Sequence, residues 1–312
     1  KRGKVFPLKT GRFLNSDYGS VEAVVDGFIS NAGAETQKSV VKTAAFGLAC
    51  PVEKNRCELT NLKWTVDGGK IAGRFGFERV ELMNDLVALA CGVPFLEEGD
   101  LYALQKGAPR EGNSALIAAG TGLGEATLFW NGKKRSPSAS EGGHADFAPR
   151  CRIEAELFGY LHERLGHVSY ERVLSGQGLV NIYEFLKQSK KGRESGYLKD
   201  KFAQCRDPAE VIYLEAIDGG DQKCREALKM FVSIYGAEAG NLALRSMAVG
   251  GIYIGGGIAP KILKDADAQK NFLTAFTAKG RFTDFLLSVP VYMIRNDRAA
   301  LIGAACRAAG LI

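Results

Sequence analysis

The chain has 312 residues, 41 of them basic and 35 acidic, which gives a formal net charge of +6. A chain of this length can bury a large core and is predicted to form two lobes. The charge is spread along the sequence, and the densest basic run, 187–193, is interrupted by polar residues. We therefore interpret that run as a solvated loop and expect no nucleic-acid partner.

The seven cysteines contain no CxxC or CxC pair, so the sequence indicates neither a zinc site nor a disulfide framework. We expect these cysteines to be reduced. No apolar run approaches the roughly 18 residues of a membrane-spanning helix, and no signal peptide is recognisable. These features predict a cytoplasmic protein without a membrane partner.

The N-terminal part of the chain alternates strand and helix patterns. Ser20 is a good N-cap for an amphipathic helix that runs to Ile29. Gly68 and Gly69 weaken a further helix near 66–75. Strands are predicted at 4–9, within 43–52 as a buried strand, at 57–60 and at 79–84.

Two polar residues, Asn84 and Asp85, stand where the strand at 79–84 gives way to a helix at 86–91. An acidic side chain at such a junction is often only a helix cap. The carboxyl end of a strand is also where open α/β sheets bind their ligands. From the residues alone, a cap and a binding site both remain possible for Asp85.

The apolar run 115–119 breaks into Gly120-Thr121-Gly122 and resumes as an alternating strand, with a third strand near 134–139. Glycines let the chain turn sharply and let backbone N–H groups approach an anion, and the Thr121 hydroxyl adds a donor. A dinucleotide fingerprint would need a helix directly after the glycines, so we exclude it. The turn is a candidate phosphate site, although a tight corner without a ligand would have the same composition.

Two further loops carry carboxylates. Glu141 and His144 flank two glycines, and together they can offer an acceptor and a donor to a small polyol, unless His144 only stabilises the loop. Glu171 follows Ser169, which is predicted to cap a short helix, so the Glu171 carboxylate is interpreted as a capping group on its sequence context alone.

The C-terminal half is predicted to contain several helices and two strands. Gly256 and Gly257 lie between a strand and Pro260, at a junction where an adenine or a phosphate can lie against bare backbone. The predicted elements are an amphipathic helix at 153–165, a mobile polar loop at 187–207, a helix at 221–247, strands at 248–254 and 290–295, and a closing helix at 298–309.

Three segments, AGTGLG, EGGHADFAP and ERVLSGQGLVNIY, follow one another in an order that resembles the bacterial-type glucokinases of the hexokinase and actin-like ATPase superfamily. The resemblance implies an α/β, two-lobed actin-like ATPase (ribonuclease H-like) fold, each lobe a mixed sheet with helices, with the active site in the cleft. It implies a small lobe of residues 1–95 plus 296–312 and a large lobe of residues 96–295.

The resemblance also implies ATP-dependent phosphorylation of the glucose 6-hydroxyl, with ATP and Mg²⁺ as cofactors and a homodimer as the assembly. Asp85 would take the proton from that hydroxyl. The implied sugar ligands are Asn84, Asp85, Glu141, His144 and Glu171. The implied nucleotide ligands are Gly120, Thr121, Gly122, Gly256 and Gly257.

The superfamily's first phosphate loop, Asp-x-Gly-Gly-Thr, is not found in this sequence. Either the given sequence lacks about 20 residues, enough for two strands and a turn, or a natural variant has lost the transfer chemistry. We favour the first explanation, since removing two strands would expose a long unpaired sheet edge.

The related repressor/kinase family binds zinc through a cysteine cluster. No such cluster follows His144 here, so we predict that the protein holds no metal of its own. A kinase for another hexose and an inactive sugar-sensing protein remain alternatives, because the polar contacts do not determine the sugar epimer.

Overall fold

The computed structural model describes residues 6–31, 41–59, 62–189 and 196–312. The chain forms two compact units, and each is described by itself. Unit 1 comprises Lys1–Asp100, Ser136–Ala139 and Asn296–Ile312, and unit 2 comprises Leu101–Arg135 and Ser140–Arg295.

Unit 1 is built on a parallel strand pair and an antiparallel strand pair. Strands β1 and β4 pair in parallel from Thr43 opposite Arg79 to Leu48 opposite Asn84, and β2 pairs with β3. The strands are β1 (Thr43–Leu48), β2 (Arg56–Leu59), β3 (Trp64–Asp67) and β4 (Arg79–Asn84). The helices are α1 (Val21–Asn31), α2 (Gly68–Phe75), α3 (Asp85–Gly92) and, at the C-terminus, α12 (Ala299–Ala308).

Helix α3, which begins at the Asn84-Asp85 pair, is packed closely against α12. A Cβ atom added at Gly92 would lie 2.2 Å from the Ala299 carbonyl oxygen, and one at Gly303 would lie 1.8 Å from the Ala88 carbonyl oxygen. Only glycine allows the two backbones to approach so closely. This contact fixes α3, and with it the position of Asp85 at its first turn.

Unit 2 contains five strands of one sheet, which are neighbours in the order β5-β10-β9-β6-β7. Strand β9 pairs in parallel with both β6 and β10. Strand β5 runs antiparallel to β10, and β7 runs antiparallel to β6. The strands are β5 (Leu101–Gln105), β6 (Ser114–Ala119), β7 (Leu123–Trp130), β9 (Ile252–Gly255) and β10 (Val291–Ile294). Strand β8 (Arg135–Ser140) is divided between the units, since Ser136–Ala139 belong to unit 1.

The longest helix of unit 2, α8 (Gln222–Ser246), lies in the centre of the core and packs against α10 (Ala266–Thr277) through two glycines. Cβ atoms added at Gly236 and Gly240 would lie 2.0 and 2.4 Å from the carbonyl oxygens of Phe272 and Phe276. The helices are α4 (Arg152–Leu165), α5 (Gly176–Ser189), α6 (Gly196–Gln204), α7 (Pro208–Leu214), α8 (Gln222–Ser246), α9 (Ala259–Ile262), α10 (Ala266–Thr277) and α11 (Thr283–Ser288).

The N-terminal predictions need three corrections. Residues 6–9 are not a strand, and the rest of the predicted strand at 4–9 lies outside the described residues. Strand β1 is only partly buried, because among the described residues it pairs with β4 alone. Cys50 and Cys57 are not reduced but joined in a disulfide, with Cα atoms 6.2 Å apart, because the turn after β1 brings them together.

The C-terminal predictions also need corrections. The predicted mobile loop at 187–207 contains the end of α5 and the whole of α6, which buries Leu198, while 190–195 lie outside the described residues. The strand predicted from 248 begins only at Ile252, since Ala248 accepts a hydrogen bond from Gly251 in a turn. Ile153 and Leu165, the first and last residues of the amphipathic helix predicted at 153–165, are exposed. Strand β5, which was not predicted, pairs antiparallel with β10.

Within the described part of the chain, we find no helix that combines the length and the apolar composition needed to cross a membrane.

Candidate active site

Unit 1 places Asn84 and Asp85 at the junction predicted from the sequence. Strand β4 ends at Asn84, whose Oδ1 accepts a hydrogen bond from the Leu86 N–H at 2.9 Å and so caps α3. The Asp85 Oδ1 accepts from the same N–H at 2.8 Å. The N-cap residue is therefore Asn84, and Asp85 occupies the first helical position.

The Asp85 side chain is exposed as a whole, but surrounding protein partly removes its carboxyl group from water. This desolvation raises the pKa of Asp85, and it outweighs the opposing hydrogen bonds from the backbone N–H groups of Leu86 and Asp85 itself. A carboxylate with a raised pKa is a stronger base than an ordinary aspartate.

In unit 2 the Gly120-Thr121-Gly122 turn joins β6 to β7, and two backbone hydrogen bonds fix it. The Gly120 N–H donates to the Gly122 carbonyl at 2.8 Å, and the Gly176 N–H donates to the Gly120 carbonyl at 2.9 Å. The N–H groups of Thr121 and Gly122 donate to no other described residue. These groups remain able to donate to an anion.

Glu171 is attached directly to this turn. Its Oε2 accepts a hydrogen bond from the Leu123 N–H at 2.9 Å, and a Cβ atom added at Gly122 would lie 2.6 Å from that same oxygen. Glycine at 122 is therefore needed to admit the Glu171 carboxylate. The expectation that Ser169 caps the short helix is wrong, because the buried Ser169 side chain makes no capping hydrogen bond to the Tyr170–Arg172 turn.

Glu141 directly precedes a 3-10 turn formed by Gly142–His144, and His144 is the last residue of that turn. The His144 Nε2 lies 3.8 Å from the Glu141 Oε2, which is longer than a hydrogen bond, and both side chains are more than half exposed. The pair therefore offers a donor and an acceptor that are not already used on one another.

The segment after His144 pairs with the segment before Glu171. The Phe147 N–H donates to the Val168 carbonyl at 2.9 Å, and the Tyr170 N–H donates to the Ala145 carbonyl at 3.0 Å. These bonds bring the Glu141–His144 loop and Glu171 together, although 26 residues lie between His144 and Glu171 in the sequence.

Gly256 and Gly257 follow β9, which is the parallel neighbour of β6. Gly256 has a φ of +82°, and a Cβ atom there would lie 2.3 Å from the Ala119 carbonyl oxygen at the end of β6. A Cβ atom at Gly257 would meet nothing within 4 Å. The two glycine segments of unit 2 thus lie at the same edge of the sheet, with open space beside Gly257.

The predicted site residues are therefore divided between the units. Asn84 and Asp85 belong to unit 1, and all the others belong to unit 2, where they form one continuous group. No three His, Cys, Asp or Glu side chains of the described residues lie together as metal ligands.

The sequence model named Glucokinase matches residues 3–311 of this chain. The chain belongs to the glucokinase family. It is 39% identical to the glucokinase of a Nostoc species, an alignment that covers 96% of this chain and 90% of the relative. The family and the α/β actin-like ATPase fold predicted from the three motifs are confirmed.

Solved structures of glucokinases have the same fold. The glucokinase of an Antarctic psychrotroph superposes with a TM-score of 0.82 at 29% identity, covering 96% of this chain and 88% of that one. A ROK family glucokinase from Streptomyces griseus, in complex with glucose and AMPPNP, gives a TM-score of 0.59 at 20% identity, covering 94% and 89% of the two chains. The second likeness concerns the fold alone.

One feature of this glucokinase family chain was missed by the sequence reasoning. Glu125 on β7 and Glu238 on α8 are 1% and 0% exposed, and Arg245 contacts both of them. Two sequence features could have indicated this network. Glu125 is the single acidic residue in a mainly apolar strand, and Glu238 and Arg245 are charged residues within the apolar half of α8. Glu125 was overlooked because alternation in β7 suggested one solvated face, whereas residues of both faces are buried.

Proposed function

We propose that this chain transfers the γ-phosphoryl group of magnesium ATP to the 6-hydroxyl of glucose, with Asp85 as the general base. The single observation that carries the proposal is the position of Asp85, a carboxyl group with a raised pKa at the end of β4 in a chain of the glucokinase family. A general base must be strong enough to accept a proton and must be held in a fixed place. The packing of α3 on α12 meets the second requirement.

The sugar would be bound by Asn84, Glu141, His144 and Glu171 in addition to Asp85. Glu141 and His144 are exposed and do not hydrogen-bond one another, so both can bind hydroxyl groups. Glu171 uses Oε2 on the Leu123 N–H, and its Oε1, which accepts no hydrogen bond from a described residue, can bind a ligand. Asn84 uses its Oδ1 on the helix, and its Nδ2 lies 3.5 Å from the Cys50 carbonyl, a weak contact that leaves this donor available.

The nucleotide would bind at the glycine segments that end β6 and β9. The N–H groups of Thr121 and Gly122 are free to meet phosphate oxygens, and the open space beside Gly257 would let the adenosine approach bare backbone. The residues present therefore fit ATP. Magnesium binds through few protein carboxylates and mainly through substrate phosphates and water, and when bound it neutralises the charge of the phosphates.

In the reaction, the glucose O6–H proton passes to Asp85 as O6 forms a bond to the γ-phosphorus. The bond from that phosphorus to the bridging oxygen breaks, and ADP leaves with the electron pair. Positioning and charge neutralisation supply most of the catalysis of phosphoryl transfer. The protein's own part is to orient the sugar, hold the phosphates and accept one proton.

The experiment is a coupled ADP-release assay with magnesium ATP and, in turn, glucose, mannose, fructose, galactose and N-acetylglucosamine. We expect glucose to give the highest kcat/KM. If another sugar gave the highest kcat/KM, that sugar would take the place of glucose as the proposed substrate. If no sugar caused ADP release, the kinase proposal would be overturned in favour of the sugar-sensing alternative.

The homodimer suggested by the resemblance is part of the same proposal. Sedimentation velocity tests it directly, since a single species near the 33.6 kDa mass of one chain would contradict it.

A further inference from the structure

A network of polar and charged side chains, in which Glu125 and Glu238 are buried and Arg245 is about half exposed, lies beneath the Glu141–His144 loop. The Arg245 Nη2 is 3.0 Å from Oε2 of Glu125 and 2.5 Å from Oε1 of Glu238. Burying charged groups is costly unless they are paired, and an apolar core would have been simpler to build. None of these three residues belongs to the sugar or nucleotide ligands proposed above.

One end of the network touches the sugar loop itself. A Cβ atom added at Gly142 would lie 2.2 Å from Oε2 and 3.0 Å from Cδ of Glu125, so the glycine backbone rests directly on that carboxyl group. Next to it, a Cβ atom at Gly143 would lie 2.1 Å from the Leu123 carbonyl oxygen. The backbone of the loop therefore packs directly against the first residues of β7.

The other end of the network reaches the segment that carries Glu171. The Asn241 Nδ2 donates to Oε2 of Glu238 at 2.8 Å and to the hydroxyl of Tyr170 at 2.9 Å. Tyr170 is buried, and it directly precedes Glu171. The same chain of contacts thus supports both of the loops proposed to bind the sugar.

The charges of the network are close to balanced. Burial, followed by the neighbouring charge of Glu238, raises the pKa of Glu125 to about 8, so at neutral pH Glu125 is mainly protonated and Arg245 pairs with Glu238. Consistent with this, the Glu125 Oε1 accepts no hydrogen bond from a described residue. On the far side, Lys279 donates to the Asn241 Oδ1 at 2.5 Å, and burial lowers the pKa of Lys279.

We propose that Glu125 is a positioning residue for the sugar, acting through Gly142 on the Glu141–His144 loop. Through Arg245 and Glu238, Glu125 also fixes the position of that loop relative to the Glu171 segment. The inference rests on the proposed function, because it requires glucose to bind at these two loops. What matters is the shape and hydrogen-bonding capacity of the Glu125 carboxyl group rather than a full negative charge.

The test compares Glu125→Ala and Glu125→Gln with a matched control, Glu215→Ala. Glu215 is also in unit 2, is 3% exposed and is bound by Lys201 at 2.6 Å, but it has no contact with the network. The measurements are kcat, the KM for each substrate, and glucose affinity by isothermal titration calorimetry.

We expect Glu125→Ala to raise the glucose KM and Kd by about tenfold or more, since misplacing a binding group by 1 Å can cost up to about 100-fold. The KM for ATP should change by less than about twofold, and Glu125→Gln should restore glucose affinity because it keeps the shape of the side chain. Glu215→Ala should lose stability without a change in glucose KM.

Equal glucose affinities for Glu125→Ala and Glu215→Ala would overturn the inference, as would Glu125→Gln behaving like Glu125→Ala. In those cases the wild type still phosphorylates glucose, so the proposed function stands. A wild-type protein that binds no sugar would overturn both.

A milder set of variants covers the case in which Glu125→Ala does not fold. Gly142→Ala pushes a methyl group onto Glu125 and should weaken glucose binding, while Glu125→Asp shortens the side chain by one methylene. The double variant should bind glucose more tightly than Gly142→Ala alone, because contacting residues are coupled. If the fold-change in glucose affinity of the double variant equals the product of the two single-variant fold-changes, the inference is overturned.

Discussion

The candidate site residues of unit 1 and those of unit 2 are held in different ways. Asn84 and Asp85 are fixed by the residues next to them, since both side chains bind the N–H of Leu86. In unit 2, Glu171 binds an N–H group 48 residues away, and Arg245 binds Glu125 across 120 residues. Local contacts orient the side chain of the proposed base on α3, a helix that is itself held by α12, whereas contacts between distant segments orient the side chains of the proposed sugar loops.

This difference suggests how each part responds to substitution. A conservative change at Asp85 removes chemistry and leaves the fold intact, because Asn84 still caps α3. A small change in unit 2 displaces a partner from another segment. The following predictions test the contrast, from the largest expected effect to the smallest.

The largest effect is expected for Asp85→Asn. The amide cannot accept the hydroxyl proton, so kcat should fall by roughly 10²- to 10⁴-fold while the melting temperature stays close to that of the wild type. Steady-state kinetics and calorimetry measure the two quantities. Asp67→Asn is the control, because Asp67 also stands at a helix N-terminus of unit 1, and its turnover should be unchanged. An Asp85→Asn variant with wild-type kcat would exclude Asp85 as the base.

The features that were predicted correctly from the sequence are mainly those formed by residues that are neighbours in the chain. The Asn84-Asp85 junction is a local pattern, a strand followed at once by a helix, and it was placed correctly. The β6–β7 turn was also predicted, since its glycines and the alternation around them are neighbours in sequence. Fold and family came from the resemblance, because three ordered motifs are specific even where the strand and helix bounds are not.

The remainder depends on residues that are far apart in sequence. Nothing near Gly122 indicates that it makes room for Glu171, and nothing near Gly142 indicates that Glu125 lies beneath it. The Cys50–Cys57 disulfide was missed for the same reason, since its spacing matches no short motif and only the turn after β1 brings the two sulfurs together. Such contacts are decided by tertiary packing, which overrides the local pattern.

The next largest effect is expected for Gly122→Ala. The new methyl group would displace the Glu171 carboxylate, which can swing away, so sugar binding should suffer more than stability. We expect the glucose KM to rise by about tenfold or more. Gly159→Ala is the control, because a Cβ atom there meets nothing within 4 Å in helix α4, and its kinetics should match the wild type. An unchanged glucose KM in Gly122→Ala would show that Glu171 does not bind the sugar.

A smaller effect concerns the pH dependence of stability. The pKa of Glu125 is raised from 4.5 to about 8 on folding, so the folded state holds a proton that the unfolded state releases. The free energy of unfolding should therefore fall as pH rises between these values, by up to about 1.4 kcal/mol per pH unit. Glu125→Gln should lack this contribution. Urea denaturation at several pH values measures it, and parallel profiles for the two proteins would contradict the raised pKa.

The smallest effect is expected for Ser20→Ala at the start of α1. The Ser20 Oγ accepts a hydrogen bond from the Ala23 N–H at 3.2 Å, which confirms the cap predicted from the sequence. Losing it should cost about 1 kcal/mol of unfolding free energy, and Ser20→Asp should restore most of that. Neither variant should alter the kinetics. A change in glucose KM would mean that a local contact outside the Asn84-Asp85 junction affects the site, and the contrast between the two units would then fail.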